Sequence, residues 1–182
     1  DWKNEWKLLS DASIVVLQNE IPHEANLSIA KFCQENKVKV LYNPAPARET
    51  DIEMIPFCDF ITPNEHECSE LFPDKKLEEI IKIYPNKMIV TLGVEGSIYY
   101  DGTAVQKIPA IKAEVVDTTG AGDTFNGAFA YAISKGKEMD VALSFATIAS
   151  HLSVQRFGAQ GGMPSLKEVK EHSGYEEIWD FK

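Results

Sequence analysis

The chain has 182 residues, which is the length of a single domain. Its 28 acidic and 18 basic residues give a formal net charge of −10, so it is a poor general binder of nucleic acid or anionic membrane, which require clustered cations. The hydrophobic fraction of 44% and the charged fraction of 25% indicate a globular protein, and no apolar run approaches the roughly 20 residues of a membrane span.

Missing motifs disfavour several kinds of site. The three cysteines form no CxxC pair, which argues against a disulfide framework and a structural zinc site and fits a reducing cytoplasm. The chain also lacks HExxH and the GxxxxGK phosphate loop, so neither a zincin nor a Walker-type nucleotide site is predicted. We therefore expect a cytoplasmic protein.

Short apolar runs rich in β-branched residues predict strands, and longer runs with helical spacing predict helices. In chain order, the predicted strands of the first half are Ser13–Leu17, Val38–Tyr42, Asp59–Thr62 and Met88–Leu92. The helices predicted between them are Pro22–Glu35, Asn64–Phe72 and Lys75–Tyr84. This alternation indicates βαβ units and a mostly parallel sheet with helices on both faces.

After the fourth strand the pattern changes to a hairpin and then to helices. Ser97–Tyr100 and Ala104–Ile108 predict the strands of the hairpin, and Asp101-Gly102 suits a tight primed turn between them. The remaining predicted elements are a turn at Gly120–Gly122, helices at about Ala121–Ser134 and Met139–Gln155, a Gly-rich loop at Phe157–Pro164 and a helical tail. Residues 1–182 are thus predicted to form a single α/β domain.

The parallel sheet predicts where a ligand binds, because ligands of such sheets lie beyond the carboxyl ends of the strands. The positions that follow a predicted strand or hairpin are Glu20, Asn43, Asn64, Gly93 and the turn at Gly120. Each also has a purely structural reading. Glu20 could be a solvated loop acid, Asn64 and Glu67 could simply start a helix, and Gly93 and Gly96 could be turn glycines.

The stretch Asp117–Ala130 (DTTGAGDTFNGAFA) carries the chemistry. Gly120-Ala121-Gly122 lets the backbone approach a ligand closely, and the apolar run that follows places these residues at a helix N-terminus, where unpaired N–H groups attract an anion. The same positive field keeps the carboxyl of Asp123 ionised, as a general base must be. A base beside an anion hole suits phosphoryl transfer to a hydroxyl. For GAGD alone, a helix cap would be the simpler interpretation.

The full fourteen-residue stretch resembles, without a mismatch, the C-terminal signature of the ribokinase (PfkB) family of sugar and nucleoside kinases, and the resemblance runs from about Asp11 to the C-terminus. Four further stretches resemble family motifs: Asn43–Arg48 (NPAPAR), the Asn-x-x-Glu motif in Ile61–Glu67, the nucleotide loop Thr91–Gly96 (TLGVEG) and the cation-site loop Arg156–Gln160 (RFGAQ). The resemblance implies a ribokinase-like three-layer α/β/α sandwich with a mostly parallel sheet.

The resemblance implies a role for each matching residue. Asp123 would be the base that activates the sugar hydroxyl, and Glu20 would bind sugar hydroxyls. The amides of Gly120, Ala121 and Gly122 would form the anion hole. Asn64 and Glu67 would act on the side of the magnesium ion and the phosphates. The positions expected at the nucleotide are Thr91, Leu92, Gly93, Val94, Glu95, Gly96, Gly122 and Thr147.

Members of this family are activated by a monovalent cation, usually K⁺, so the implied cofactors are ATP, Mg²⁺ and K⁺. Asp117 and the carbonyl of Thr119 match one side of the cation site. The other side is matched by the backbone carbonyls of Ser153, Arg156 and Gly158. Many members place a Ser hydroxyl where this chain has Gly162.

The resemblance implies transfer of the γ-phosphoryl of ATP to a sugar hydroxyl, and NPAPAR together with Glu20 favours O5 of ribose. Another sugar, a nucleoside, or a catalytically silent nucleotide-binding module are the alternatives. Family members carry a long preceding segment with the first strands and a small lid, so we expect this chain to be incomplete on its N-terminal side and inactive alone. The expected partners are a small sugar and ATP, without nucleic acid or membrane, and a homodimer of the full-length form is one arrangement that the resemblance allows.

Overall fold

The structure is a computed structural model and describes residues 6–181. These residues divide into two compact units. The first unit contains residues 6–92 and 98–107, and the second contains residues 93–97 and 108–181. In the described part of the chain, no helix is both long enough and apolar enough to cross a bilayer.

The first unit is built on a sheet whose opening strands are parallel and follow chain order. Strands β1 (Ile14–Gln18), β2 (Lys39–Asn43) and β3 (Phe60–Ile61) pair in parallel. Strands β4 (Ile89–Thr91), β5 (Ser97–Tyr100) and β6 (Val105–Ile108) are neighbours in that order. Two parallel bridges, Ile61 to Met88 and Asn64 to Thr91, connect β3 with β4.

The helices of this unit pack around the buried strands, apart from the first helix, which has no buried residue. They are α1 (Trp6–Ser10), α2 (His23–Glu35), α3 (Glu65–Leu71), α4 (Leu77–Ile83) and a 3₁₀ helix at Glu49–Phe57. Ala30 and Cys33 of α2 share one apolar core with Val40 and Tyr42 of β2 and with Ile61 of β3. Burial of this apolar surface is the main force that holds α2 on the sheet.

The second unit is helical. Its elements are α5 (Ala121–Ser134), α6 (Met139–Ser153), α7 (Ala159–Gly162), α8 (Leu166–Glu171) and 3₁₀ turns at Gly93–Glu95 and Glu177–Trp179. Helices α5 and α6 pack along each other and bury Phe129, Leu143 and Phe145. The rings of Phe145 and Phe181 stack with their centroids 4.2 Å apart, and this contact holds the C-terminal segment against α6.

Every strand and helix predicted up to Gln155 is present, with ends displaced by at most two residues. Among the described residues, four elements were not predicted: α1, the 3₁₀ helix at Glu49–Phe57, the 3₁₀ turn at Gly93–Glu95, and α7, which lies in the segment expected to be a loop. Short helices of this kind lack the sustained apolar periodicity from which longer helices are predicted.

The predicted hairpin is present, and its loop is tight. The backbone N–H of Asp101 donates to the carbonyl of Ala104 at 3.1 Å, which leaves Gly102 and Thr103 at the tip, one residue later than the Asp101-Gly102 pair that the sequence suggests. Gly102 has a positive φ of +101°, which glycine adopts without strain. The carboxylate of Asp101 accepts the backbone N–H groups of Thr103 and Ala104, each at 2.7 Å, and these bonds stabilise the loop.

Candidate functional site

Polar residues line the carboxyl ends of the parallel strands. Gln18 ends β1 opposite Asn43 at the end of β2, and the side-chain amide of Gln18 donates to Asn43 Oδ1 at 2.9 Å. Asn43 in turn donates to the carbonyl of Thr62 at 2.6 Å. Asn64 forms a parallel bridge with Thr91. The structure therefore brings the predicted positions Asn43, Asn64 and Thr91 to one edge of the sheet.

Asn64 and Glu67 start α3 through a capping box. The Asn64 side chain accepts the Glu67 N–H at 2.8 Å, and Glu67 Oε2 accepts the Asn64 N–H at 2.7 Å. This satisfies two N–H groups that a helix start leaves unpaired. Burial raises the pKa of Glu67 against the opposing effect of the Asn64 N–H. The structural interpretation of this pair is confirmed, and its magnesium role stays a prediction.

The loop Thr91–Gly96 leaves the same sheet edge. It contains the 3₁₀ turn Gly93–Glu95, where Val94 is 92% exposed. Gly96 has φ +98°, and a Cβ there would lie 1.9 Å from the carbonyl oxygen of Ile108. Only glycine fits this position, so its structural role is demonstrated. Gly93 has φ +55° but has open space around its Cβ position.

Helix α5 begins as the sequence predicts. Gly120 is its N-cap, with φ +77°, and a Cβ there would lie 2.9 Å from the Cβ of Ala159. Gly122 and Asp123 are exposed in the first turn, and a Cβ on Gly122 would meet open space. The amide of Ala121 donates to the Thr118 carbonyl at 3.2 Å, so this N–H already has a partner in the chain. The open side of the turn at Gly122 fits the approach of an anion.

An open cavity of about 400 Å³ lies beside Asp123 within the second unit. Its lining continues along α5 through Gly127 and Tyr131 and reaches Met163 and Leu166 on the far side. Asp123 is the acidic residue of this lining, and the rest is largely apolar. A carboxylate at the rim of an apolar cavity is in a suitable place to act on a bound small molecule.

The two halves of the predicted cation site meet through Asp117. One oxygen of its carboxylate accepts the N–H of Thr119 and the other accepts the N–H of Gly158, each at 2.9 Å. Hydrogen bonds from Thr119, and then from the Gly158 amide, hold the pKa of Asp117 below its ordinary value. The N–H groups of Val116 and Asp117 also donate to the Val154 carbonyl. These bonds hold the segment of Asp117 and Thr119 next to the segment that carries Ser153 and Gly158, and the cation role of both segments stays a prediction.

The remaining predicted cation ligands already have contacts within the chain. The Ser153 carbonyl accepts the Arg156 N–H at 3.4 Å, and the Gly158 carbonyl accepts the Gly162 N–H at 2.8 Å. A Cβ at Gly162 would lie 2.7 Å from the Ser153 oxygen, so this position has no room for a serine without a backbone shift. The guanidinium of Arg156 pairs with Glu168 of α8.

Thr147 and Cys68 are buried rather than open to a ligand. The Thr147 hydroxyl donates to the Leu143 carbonyl one turn earlier at 2.8 Å. Cys68 is 1% exposed, and burial raises its pKa to about 11, which leaves the thiol protonated and unreactive at neutral pH.

Glu20 is exposed just beyond β1, and the residues around it are fixed by contacts that the sequence did not reveal. Asn19 is 3% exposed and bonds to Asp51, and the Arg48 side chain reaches the backbone on both sides of Glu20. Two features of the sequence could have indicated these contacts: the polar residue Asn19 directly after a buried strand, and Arg48 at the end of NPAPAR, to which no role was assigned.

Among residues 6–181, no cluster of three or more His, Cys, Asp and Glu side chains could hold a metal ion. One or two carboxylates can hold Mg²⁺ when other oxygen ligands complete its coordination, and Glu67 offers one carboxylate at the sheet edge. Its magnesium role stays a prediction.

The family model of the pfkB carbohydrate kinases matches residues 1–166. The chain belongs to this family. It is 66% identical over 165 residues to the ribokinase of Lactococcus lactis, covering 91% of this chain and 55% of that protein. The ribokinase of Bacillus subtilis is 45% identical over 168 residues, covering 92% of this chain and 57% of the relative. The chain thus spans about half the length of these curated relatives.

A solved ribokinase-family structure shares the fold. The ribokinase of Arabidopsis thaliana, determined with ribose and ATP, superposes with a TM-score of 0.82 at 33% identity. The match covers 98% of this chain and 59% of that one. The predicted ribokinase-like α/β fold class is therefore confirmed, and so is the family that the signature at Asp117–Ala130 indicates.

Proposed function

We propose that the chain is the nucleotide-binding and catalytic part of an ATP-dependent sugar kinase that forms ribose 5-phosphate from D-ribose. Family membership and the curated relatives named ribokinase, at 66% and 45% identity, support this substrate. The observation that carries the proposal is Asp123, an exposed carboxylate in the first turn of α5, three residues after the glycine N-cap Gly120.

The proposed chemistry assigns the proton transfer to Asp123. Its carboxylate takes the proton of the sugar hydroxyl as the oxygen attacks the γ-phosphorus of ATP, and ADP leaves with the electrons of the broken P–O bond. The amides of Gly120, Ala121 and Gly122, foremost that of Gly122, face the charge of the transferring group. Glu20 binds the hydroxyls of the sugar and thereby orients it.

The nucleotide is assigned to the carboxyl edge of the sheet and the loop that leaves it. Thr91–Gly96 lines the nucleotide, and the carboxylate of Glu67 with Asn64 acts on the phosphate side. A bound Mg²⁺ supplies charge neutralisation of the phosphate oxygens. Asp117 and the carbonyls of Thr119, Ser153, Arg156 and Gly158 would hold K⁺. A cytoplasmic location and a homodimer of the full-length protein stay predictions.

The test is ADP release by the natural-length protein with ATP, Mg²⁺, K⁺ and a panel of sugars and nucleosides. Ribose turnover is expected, and Asp123→Asn should reduce kcat by about 10²–10⁴-fold, the usual contribution of a general base. Asp74→Asn, which removes an exposed carboxylate of the first unit, is the matched control and should retain activity. If the protein turns over only another sugar or a nucleoside, that compound replaces ribose as the proposed substrate. If it turns over none of them, a catalytically silent nucleotide-binding module is the better interpretation.

A further inference from the structure

A buried polar network lies beneath the loop that carries Glu20. Asn19 is 3% exposed, and Tyr42 and Asp51 are each 1% exposed. The side-chain amide of Asn19 donates to Asp51 Oδ2 at 2.7 Å. The Tyr42 hydroxyl lies 2.6 Å from Asp51 Oδ1 and 2.7 Å from Asn19 Oδ1. A hydroxyl has one proton, so these two acceptor oxygens share it. Buried polar groups are costly unless they are paired, so this arrangement is strongly constrained.

Asp51 transmits this constraint to Arg48. Its Oδ2 atom accepts the backbone N–H of Arg48 at 2.7 Å, at the start of the 3₁₀ helix Glu49–Phe57. The same carboxylate therefore receives hydrogen bonds from three separate parts of the first unit: the end of β1, strand β2 and the end of the NPAPAR segment. These contacts fix where the side chain of Arg48 leaves the backbone.

The Arg48 guanidinium spans the residues on both sides of Glu20. Its Nη1 donates to the carbonyl of Ile21 at 3.3 Å, and its Nη2 donates to the carbonyl of Asn19. Asn19 is held further, because its backbone N–H donates to the Ala45 carbonyl at 3.2 Å and its side-chain amide to the Pro46 carbonyl at 2.8 Å. Glu20, which is exposed, thus projects from a backbone that is restrained on both sides.

We infer that Arg48 and Asp51 are positioning residues for Glu20 and set the affinity for the sugar. This inference rests on the proposed function, in which Glu20 binds sugar hydroxyls. A planar guanidinium holds two carbonyls at a fixed separation, which the single ammonium group of lysine cannot do. When the hydrogen bonds of Arg48 to the Asn19 and Ile21 carbonyls are lost, the backbone at Glu20 becomes mobile. Sugar binding must then order this backbone, which lowers the affinity for the sugar. Arg48 is the last residue of NPAPAR, so this segment contributes to substrate specificity through it.

The experiment compares Michaelis constants in the natural-length protein. Arg48→Lys is expected to raise KM for ribose about tenfold, because small displacements of a binding group are costly. KM for ATP and the thermal midpoint are expected to stay unchanged. Asp51→Asn keeps the side-chain volume but places an NH₂ group opposite other donors, so it should raise KM for ribose and also lower the thermal midpoint. The deciding variant is therefore Arg48→Lys. Glu49→Gln, an exposed change beside Arg48, is the control and should leave every constant unchanged.

A double substitution separates positioning from general destabilisation. In a Glu20→Gln background, Arg48→Lys should raise KM for ribose much less than it does alone, because both changes affect one interaction. Additive effects, an equal rise in KM for ATP, or a rise that follows a lowered thermal midpoint would overturn the inference. If the wild-type protein does not turn over ribose, the proposed function fails and the inference fails with it. Ribose turnover that depends on Asp123 without coupling between Glu20 and Arg48 would refute the positioning role alone.

Discussion

The carboxylate of Asp117 accepts the backbone N–H of Gly158 at 2.9 Å, across 41 residues of sequence. Its other oxygen accepts the N–H of Thr119, and these donors hold the pKa of the carboxyl below its ordinary value. An anionic group therefore joins the segment before α5 to the segment after α6. The two stretches assigned to the K⁺ site are thus connected by one side chain.

Asp117→Asn should abolish stimulation by K⁺ in the natural-length protein. The amide replaces one of the two acceptor oxygens with an NH₂ donor, so either the Thr119 or the Gly158 N–H loses its partner, and the negative charge that attracts the cation is lost. The measurement is the turnover rate as a function of K⁺ concentration. Asp74→Asn should leave this dependence intact. Unchanged stimulation in Asp117→Asn would remove Asp117 from the cation site.

Two glycines at the start of α5 should respond differently to alanine. Gly120→Ala places a Cβ at φ +77° and 2.9 Å from Ala159, so it should lower the free energy of unfolding by at least about 1–2 kcal/mol. Gly122→Ala meets open space in an ordinary helical position and should not lower stability. It should nonetheless slow turnover, because its methyl group fills the space through which the phosphoryl group approaches the amide. Denaturant unfolding and ADP release distinguish the two effects. A fully active Gly122→Ala would argue against the anion hole.

Gly162→Ser tests whether the missing serine hydroxyl can be restored. The new Cβ would lie 2.7 Å from the Ser153 carbonyl oxygen, a backbone atom that cannot move alone. We expect a lower thermal midpoint and no increase in the apparent affinity for K⁺. Gly161→Ser, next to it with open space at its Cβ, should retain the wild-type midpoint and is the control. Tighter K⁺ activation in Gly162→Ser would show that the site accepts the hydroxyl after a local shift.

Two substitutions distinguish the helix-capping role of the Asn64–Glu67 pair from its proposed magnesium role. Glu67→Gln keeps an acceptor oxygen for the Asn64 N–H, so the capping box survives while the charge is lost. We expect little change in stability and a higher Mg²⁺ requirement for turnover. Asn64→Ala removes the cap and should cost about 1 kcal/mol in unfolding free energy. An unaltered Mg²⁺ dependence in Glu67→Gln would leave Glu67 with the structural role alone.

The strands, the long helices and the start of α5 could be predicted because their determinants are local. The run after Gly120 has helical spacing, and glycine is the residue that adopts the left-handed cap there. The sheet-edge cluster followed from a general rule, since the carboxyl ends of parallel strands meet at one edge. Asn43, Asn64 and Thr91 therefore lie where the element order places them.

Local patterns could not predict the 3₁₀ helix at Glu49–Phe57 or the contacts of Arg48 with the Asn19 and Ile21 carbonyls. The helix contains Pro56 and lacks a clear apolar face, and its start is fixed by the contact of Asp51 with Asn19, 32 residues earlier in the chain. Contacts of this kind depend on the register of β1 against β2, which sequence periodicity does not determine. The residues that hold Glu20 in place were missed for this reason.

Stability in acid should depend on Glu168. Its carboxylate accepts the Ser165 N–H at 2.8 Å and pairs with Arg156, and these bonds, the Ser165 N–H first, lower its pKa to about 2. A depressed pKa in the folded state stabilises the protein above the ordinary value of 4.5, and this contribution is lost as pH falls toward 2. The thermal midpoint of Glu168→Gln should therefore lie below that of the wild type near neutral pH, and the two should converge on acidification. Glu177→Gln, an exposed change, should follow the wild type at every pH. A difference that stays constant with pH would show that the charge of Glu168 contributes nothing to the fold.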